Sequence, residues 1–359
     1  MKIYHVLGSH IEHHNKTVLD FLSNTLMNAV NPTLCQRVLM VGRVGEYPAL
    51  EITHFASKKA IAAELRARAK REKDAFFLLH GQFNPFIWLD IAFNRLPVER
   101  LGWHIWGGDL YEASHAWQFR LFYPLRRFAQ RKLRYVYATQ GDLHVFTSIN
   151  AHAQCQTLYF PTKMSDALPE NTQHLDGEPL TILLGNSGDP TNRHLEALAA
   201  IQSAVGNTTR VIIPMGYPEN NQAYIEQVRA RARVLFGENV VTILKEKLAF
   251  ADYLNLLQRC DVGYFNFERQ QGIGTICLLI AMNIPLVLHP SNPFCLDMQA
   301  QGVPFLTPEQ LNREAIKQVK VRLQQLDKHH IAFFPPNYVQ GWQTLLERLA
   351  CAQERGARC

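Results

Sequence analysis

The feature that most constrains this chain is the regular exchange of short apolar runs and helical patterns between residues 180 and 327. Runs at Leu180–Leu184, Arg210–Pro214, Val240–Leu244, Val262–Phe265, Pro285–Leu288 and Val303–Leu306 read as strands. Between them, His194–Ser203, Glu219–Leu235, Phe250–Gln258, Thr275–Met282 and Pro308–Leu326 repeat apolar residues at helical spacing. Strands that alternate with helices at this interval belong to a parallel, doubly wound sheet, so the expected class is α/β.

The first 150 residues repeat the theme less cleanly. Lys2–Leu7, Arg37–Val41, Phe76–Leu79, Trp103–Trp106 and His144–Thr147 read as strands, and Thr17–Ala29 and Lys58–Lys70 as helices. The polar stretch 161–179 reads as a linker, and Pro335-Pro336 halts the chain before a last amphipathic helix, Tyr338 to Gln353. The expected organisation is a Rossmann-like domain over 1–160, the linker, a second Rossmann-like domain over 180–334, and a terminal segment 335–359 folding back on the first domain. Two such domains facing a cleft form the GT-B architecture of many glycosyltransferases, whose ligands bind at the carboxyl ends of the strands.

Composition narrows the setting. A chain of 359 residues with 47% hydrophobic content fits two ordinary domains with real cores. Its seven cysteines show no Cys-x-x-Cys spacing, and several lie in apolar runs, as reduced buried thiols do. The N-terminus enters a strand-like run directly, with no signal-peptide pattern. The longest apolar stretch, Cys277 to Leu288, is too short to span a bilayer. The expected location is the cytosol, or a membrane surface reached from the cytosolic side.

Four loops of the second domain carry polar or glycine-bearing sequences after strands. Phe267 to Thr275 brings Glu268, Arg269, Gln270 and Gln271 before Gly272 and Gly274, then opens a helix. Free N–H groups at a helix start favour an anion such as a diphosphate, and the arginine and amides add donors. An ordinary αβ turn would read similarly. Gly185-Asn186-Ser187-Gly188 follows the first strand of this second domain and lets the backbone approach a phosphate or sugar. Gly216-Tyr217 and Lys245-Glu246 follow two further strands and suit the nucleoside side. Together they fit a nucleotide-sugar pocket.

The first domain offers Trp106-Gly107-Gly108-Asp109 at a strand end. Aromatic faces stack on sugar rings, and a carboxylate assists a hydroxyl, or else Asp109 simply caps the next helix. His10 and His80, each just past a strand, are the other candidates for that proton. Trp117 to Tyr135 then holds six basic residues (Arg120, Arg126, Arg127, Arg131, Lys132, Arg134) and no acidic one. Trp117, Leu121, Leu125 and Phe128 recur at helical spacing, with a kink expected at Pro124. Such a segment suits an anionic membrane surface or a lipid pyrophosphate. Nucleic acid fits less well, because the chain carries a net charge of only +6 and no nucleic-acid-binding motif.

Other classes find little footing. No Gly-x-Gly-x-x-Gly follows an early strand and no P-loop is present. There is no Asp-x-Asp pair to hold a metal–diphosphate complex, and His13-His14 and His329-His330 are adjacent pairs, not ligands a helical turn apart. No metal or cofactor is therefore expected.

Gly272-x-x-Thr275, with Pro285 thirteen residues beyond the glycine, resembles the donor segment of the lipid-linked glycosyltransferase MurG. That family usually places a ribose-binding glutamate where this chain has Leu278, a departure that fits a deoxyribose donor. More closely, and over essentially its whole length, the chain is similar to glycosyltransferase family 56. The likeness rests on Gly185-Asn186-Ser187-Gly188, Gly216-Tyr217, Arg269-Gln270-Gln271-Gly272-Ile273-Gly274 and His104-Ile105-Trp106-Gly107-Gly108-Asp109. The resemblance implies transfer of 4-acetamido-4,6-dideoxygalactose (Fuc4NAc) from dTDP to an undecaprenyl-diphosphate-linked disaccharide. That step completes the enterobacterial common antigen unit at the cytoplasmic face of the inner membrane. The diphosphate is then expected on Arg269, Gln270, Gln271, Gly272, Gly274 and Thr275. Competing readings are a non-catalytic nucleotide-sugar or lipid-carrier binding module, and an epimerase acting on a free nucleotide sugar.

Overall fold

The computed structural model describes residues 2–30, 34–112, 117–164, 179–206, 209–218 and 221–356, and the side chains up to 351. Most of the expected linker, 165–178, lies outside the described residues, as does Glu219. Two compact units result: Met1–Pro161 with Pro335–Cys359, and Thr162–Phe334.

The first unit holds a seven-stranded sheet in the order β3-β2-β1-β4-β5-β6-β7. Its strands are β1 (Lys2–Leu7), β2 (Cys35–Val41), β3 (Glu51–Phe55), β4 (Ala75–His80), β5 (Leu101–His104), β6 (Tyr135–Ala138) and β7 (Gln154–Thr157). Every described pairing is parallel. β4 is buried along its whole length, as expected of a strand covered on both faces. The last helix, Asn337–Gly356, belongs to this unit: the Trp342 indole N–H donates to Tyr159 O at 3.0 Å, and its ring stacks on His80 at 5.7 Å.

The second unit holds a five-stranded parallel sheet in the order β10-β9-β8-β11-β12. Its strands are β8 (Leu180–Leu184), β9 (Thr209–Pro214), β10 (Val241–Leu244), β11 (Val262–Phe265) and β12 (Leu286–Leu288). Helices His194–Val205, Gln222–Phe236, Phe250–Leu257 and Ile273–Ala281 connect them.

Two expected strands are corrected. His144–Thr147 is the end of a helix, Gln140–Thr147, whose start Thr139 caps by accepting the Asp142 N–H. Val303–Leu306 contributes only one bridge, Leu306 to Val287. Three strands went unread: β3 and β7 are short and half-polar, so parallel pairing rather than residue preference makes them strands, and β6 is an apolar run of only four residues.

Candidate active site

In each sheet the chain reverses its direction of strand addition once, and the loops flanking that point splay apart to leave a crevice. In the second unit the reversal lies between β8 and β11, which pair directly. The loops leaving their carboxyl ends meet. Arg269 donates from Nε and Nη2 to Thr191 Oγ1 at 3.2 and 3.1 Å, and its guanidinium lies 3.6 Å from the Asp189 carboxylate. The Thr191 hydroxyl in turn donates to Asp189 Oδ1 at 2.6 Å, with Gln271 Oε1 3.1 Å away. Asn192 braces the loop from within: its Oδ1 accepts the Asn186 N–H at 3.2 Å, and its Nδ2 donates to Ser187 Oγ and Asp189 O.

The neighbouring loops join this cluster. The Gly188 N–H donates to Tyr217 O at 2.6 Å, and Asn221 Nδ2 to Met215 O at 2.9 Å. Gly216 lies so close to the Glu246–Lys247 backbone that a Cβ there would sit 2.5 Å from the Glu246 carbonyl carbon. Lys245 and Glu246 are themselves exposed, and Tyr217 is 45% exposed. All four loops named from the sequence thus lie along one edge of one sheet.

The start of helix Ile273–Ala281 leaves backbone donors uncapped. Gly272 precedes it at φ 67°, a conformation glycine adopts without strain, and Asn186 leans where its side chain would be. No side chain caps the helix, so the first-turn N–H groups keep their donor capacity. A Cβ on Gly274 would meet nothing within 4 Å. Thr275 faces the Tyr253 hydroxyl at 2.9 Å. Gln270 is buried, and Leu278 lies in the core at 2% exposure, where no ribose can reach it. Beside the cluster Glu268 accepts from Arg193 and lies 3.6 Å from His289.

Sequence reasoning missed Asp189, Thr191, Asn192, His194, Tyr224 and Tyr253. The first three follow directly on the Gly185–Gly188 loop without being singled out, and nothing local marks the others.

In the first unit the reversal lies between β1 and β4. Asn84 Nδ2 ties their loops by donating to Gly8 O at 2.9 Å. His10 is exposed here, its ring filling the space over Gly42. The Trp106 ring covers Gly81, whose φ of 52° and absent side chain admit it, and stacks on His14 at 5.4 Å.

Three expectations for this unit are corrected. Asp109 is 1% exposed and turned inward, where Oδ2 accepts from the Gln82 N–H at 2.8 Å and the Trp103 indole at 2.7 Å, and Oδ1 from the Trp106 N–H at 2.8 Å. Burial pushes its carboxyl up, and those donors oppose the push. It fastens two loops, with its carboxylate turned away from solvent. His80 is equally enclosed: its Nε2 lies 2.9 Å from His5 Nδ1, and burial holds it well below the usual histidine range. Among the basic residues, Arg126 is buried, donates to Leu110 O at 3.1 Å and lies over the Tyr123 ring.

The segment itself is a helix, Trp117–Gln130, with Pro124 inside it. Leu125, expected on the apolar stripe with Trp117, instead packs on the core beside Phe122 and Ala129. Trp117, Leu121 and Phe128 face outward at 68, 72 and 51% exposure, with Phe119 at 53%. Arg120, Arg131 and Arg134 are exposed near them. Arg127 pairs with Glu112 at 3.0 Å, and Lys132 donates to Ala92 O and Asn94 Oδ1. Among the described residues no helix is long and apolar enough to cross a membrane, and no three His, Cys, Asp or Glu side chains gather as metal ligands.

Comparison with known proteins identifies the family and the fold. A family model described as 4-alpha-L-fucosyltransferase glycosyl transferase group 56 matches residues 1–351. Among solved structures, an alpha,alpha-trehalose 6-phosphate synthase from Burkholderia multivorans superposes with a TM-score of 0.66 at 11% identity, covering 100% of this chain and 98% of that one. Sucrose-phosphate synthase from Thermosynechococcus elongatus gives 0.60 at 10% identity, covering 100% and 98%. HepE of Anabaena in complex with UDP gives 0.56 at 14% identity, covering 100% and 99%. At such identities the likeness establishes the fold, which is GT-B.

Proposed function

Because the chain belongs to glycosyl transferase group 56 and is a glycosyltransferase, we propose that it transfers Fuc4NAc from dTDP to an undecaprenyl-diphosphate-linked disaccharide. The product is the trisaccharide unit of enterobacterial common antigen, made at the cytoplasmic face of the inner membrane.

One observation carries the donor side. Arg269 is anchored beside the uncapped start of helix Ile273–Ala281, at the reversal point of the second sheet. In this reading Arg269, Gln271 and the N–H groups of Ile273 to Thr275 hold the diphosphate, with Gly185, Asn186 and Ser187 against the phosphates or sugar. As the bond from the anomeric carbon to the diphosphate oxygen breaks, negative charge grows on that oxygen. Fixed donors stabilise it without reorganising, so no bound cation is required of this site. Gly216-Tyr217 and the Lys245-Glu246 loop border the nucleoside.

The acceptor belongs to the first unit. His10, exposed at that sheet's reversal point, is the proposed base for the acceptor hydroxyl, and Trp106 a stacking surface for a sugar. The outward stripe of helix Trp117–Gln130, with Arg120, Arg131 and Arg134, is the proposed contact with anionic lipid.

The test pairs calorimetry of dTDP and UDP with a transfer assay from dTDP-Fuc4NAc to the lipid-linked disaccharide. Arg269→Ala should weaken dTDP binding at least tenfold with an unchanged unfolding temperature. A protein that ignores dTDP refutes the donor assignment. One that binds dTDP without transfer is a binding module, and one that converts free dTDP-Fuc4NAc is an epimerase.

A further inference from the structure

His194 opens the helix that follows the β8 loop, and none of its surface reaches solvent. Its Nδ1 lies 3.2 Å from the Tyr224 hydroxyl, whose oxygen also faces the His194 backbone N–H at 3.3 Å. A backbone N–H only donates, so it occupies a lone pair of that hydroxyl and leaves the hydroxyl's own proton for Nδ1. The arrangement selects one tautomer: Nδ1 accepts and Nε2 carries the hydrogen.

That Nε2–H has no partner. It lies over Gly185, 2.9 Å from where a side chain at that position would begin, with Asn192 Oδ1 2.7 Å from the same point. Gly185, at φ 70°, is the first residue past β8 at the reversal point of the sheet. Asn186 Oδ1, one residue on, is likewise buried without a donor, and it leans on Gly272 before the uncapped helix. Buried polar atoms in folded proteins are nearly always paired, and those that are not commonly await a ligand or water. Burial pushes His194 down to about 4, so near neutral pH its ring is an uncharged donor.

We propose that His194 Nε2 donates a hydrogen bond to a phosphate oxygen of the nucleoside diphosphate, past the bare backbone of Gly185, once the bound diphosphate shifts that loop. The inference rests on the second unit being the donor site. It adds a donor whose strength is unchanged across the neutral range and whose direction Tyr224 sets.

The experiment titrates dTDP into the wild type, His194→Phe and Tyr224→Phe, and records histidine ring ¹⁵N spectra of the wild type with and without dTDP. His194→Phe removes a bare buried polar atom, so it should unfold at or above the wild-type temperature yet bind dTDP about tenfold more weakly. Tyr224→Phe, which frees the tautomer, should show a smaller loss. The wild-type spectrum should report an Nε2–H ring for His194, with that proton moving downfield when dTDP is added. Full dTDP affinity in His194→Phe, or an Nδ1–H ring untouched by dTDP, overturns the proposal while leaving the donor site standing. Absence of dTDP binding by the wild type overturns both. Should His194→Phe fail to fold, the wild-type spectrum alone decides.

Discussion

Arg269 is held by a carboxylate of its own unit: its guanidinium lies 3.6 Å from Asp189 and donates twice to Thr191, whose hydroxyl donates to the same carboxylate. On the proposed donor site, an arriving diphosphate must compete with Asp189 for this cation. Asp189→Asn should therefore tighten dTDP binding several-fold by removing the rival anion, with the gain shrinking as salt rises. Weaker binding in calorimetry would instead mean that Asp189 holds Arg269 in its productive place.

Gly274 separates folding from binding. Its missing side chain faces open space within the protein and its backbone is ordinary. Gly274→Ala should fold normally, and slightly better because alanine favours a helix by up to about 1 kcal/mol. It should nonetheless weaken dTDP binding if the diphosphate sits against that turn. Unaltered affinity would move the diphosphate elsewhere.

Asp109→Asn is expected to act on stability before chemistry. An amide cannot accept from all of Gln82, Trp103 and Trp106, and a buried donor left unpaired costs about 1–3 kcal/mol. The unfolding temperature should fall and dTDP affinity should stay constant, because the carboxylate belongs to the first unit. A variant as stable as the wild type but inert in transfer would return Asp109 to catalysis.

In the proposed reading, the basic residues of the segment Trp117–Arg134 divide between membrane contact and packing. Replacing Trp117 and Leu121 by serine should abolish sedimentation with anionic vesicles at any salt. Arg120→Gln with Arg131→Gln should weaken it mainly at low salt, each charge contributing roughly 1 kcal/mol near such a surface. Arg126→Gln should lower the unfolding temperature and leave vesicle binding intact, since that guanidinium is turned to Leu110 O.

Acid should loosen both units. Burial holds His5 and His194 down to about 4 and His104 to about 3, whereas the unfolded chain protonates each near 6.5. Between those values the unfolded state binds more protons, so stability is complete above pH 6.5 and falls as pH drops toward 4. Each titrating histidine adds up to about 1.4 kcal/mol per pH unit. Urea unfolding at pH 7.5 and 5 measures the difference; equal midpoints would mean that these rings bind the same number of protons in the folded and unfolded states.

Local pattern alone determined a good deal. Leu180–Leu184 and Val262–Phe265 are read with their true ends, because each is a short apolar run bounded by polar turns. From those two strands the loops at Gly185 and Arg269 follow, and with them the prospect of an anion site. Residue preference also placed helix Lys58–Arg71, where Ser57 supplies the cap.

Which way a polar side chain turns was settled only by the fold. Asp109, Arg126 and His80 sit beside residues that look exposed in sequence, yet Trp103, Leu110 and His5 draw them inward. The partnership of Arg269 with Asp189, and of His194 with Tyr224, exists because β8 lies between β9 and β11. Strand order is set by non-local packing, and that is why a one-dimensional pattern names the loops of this enzyme but not the contacts among them.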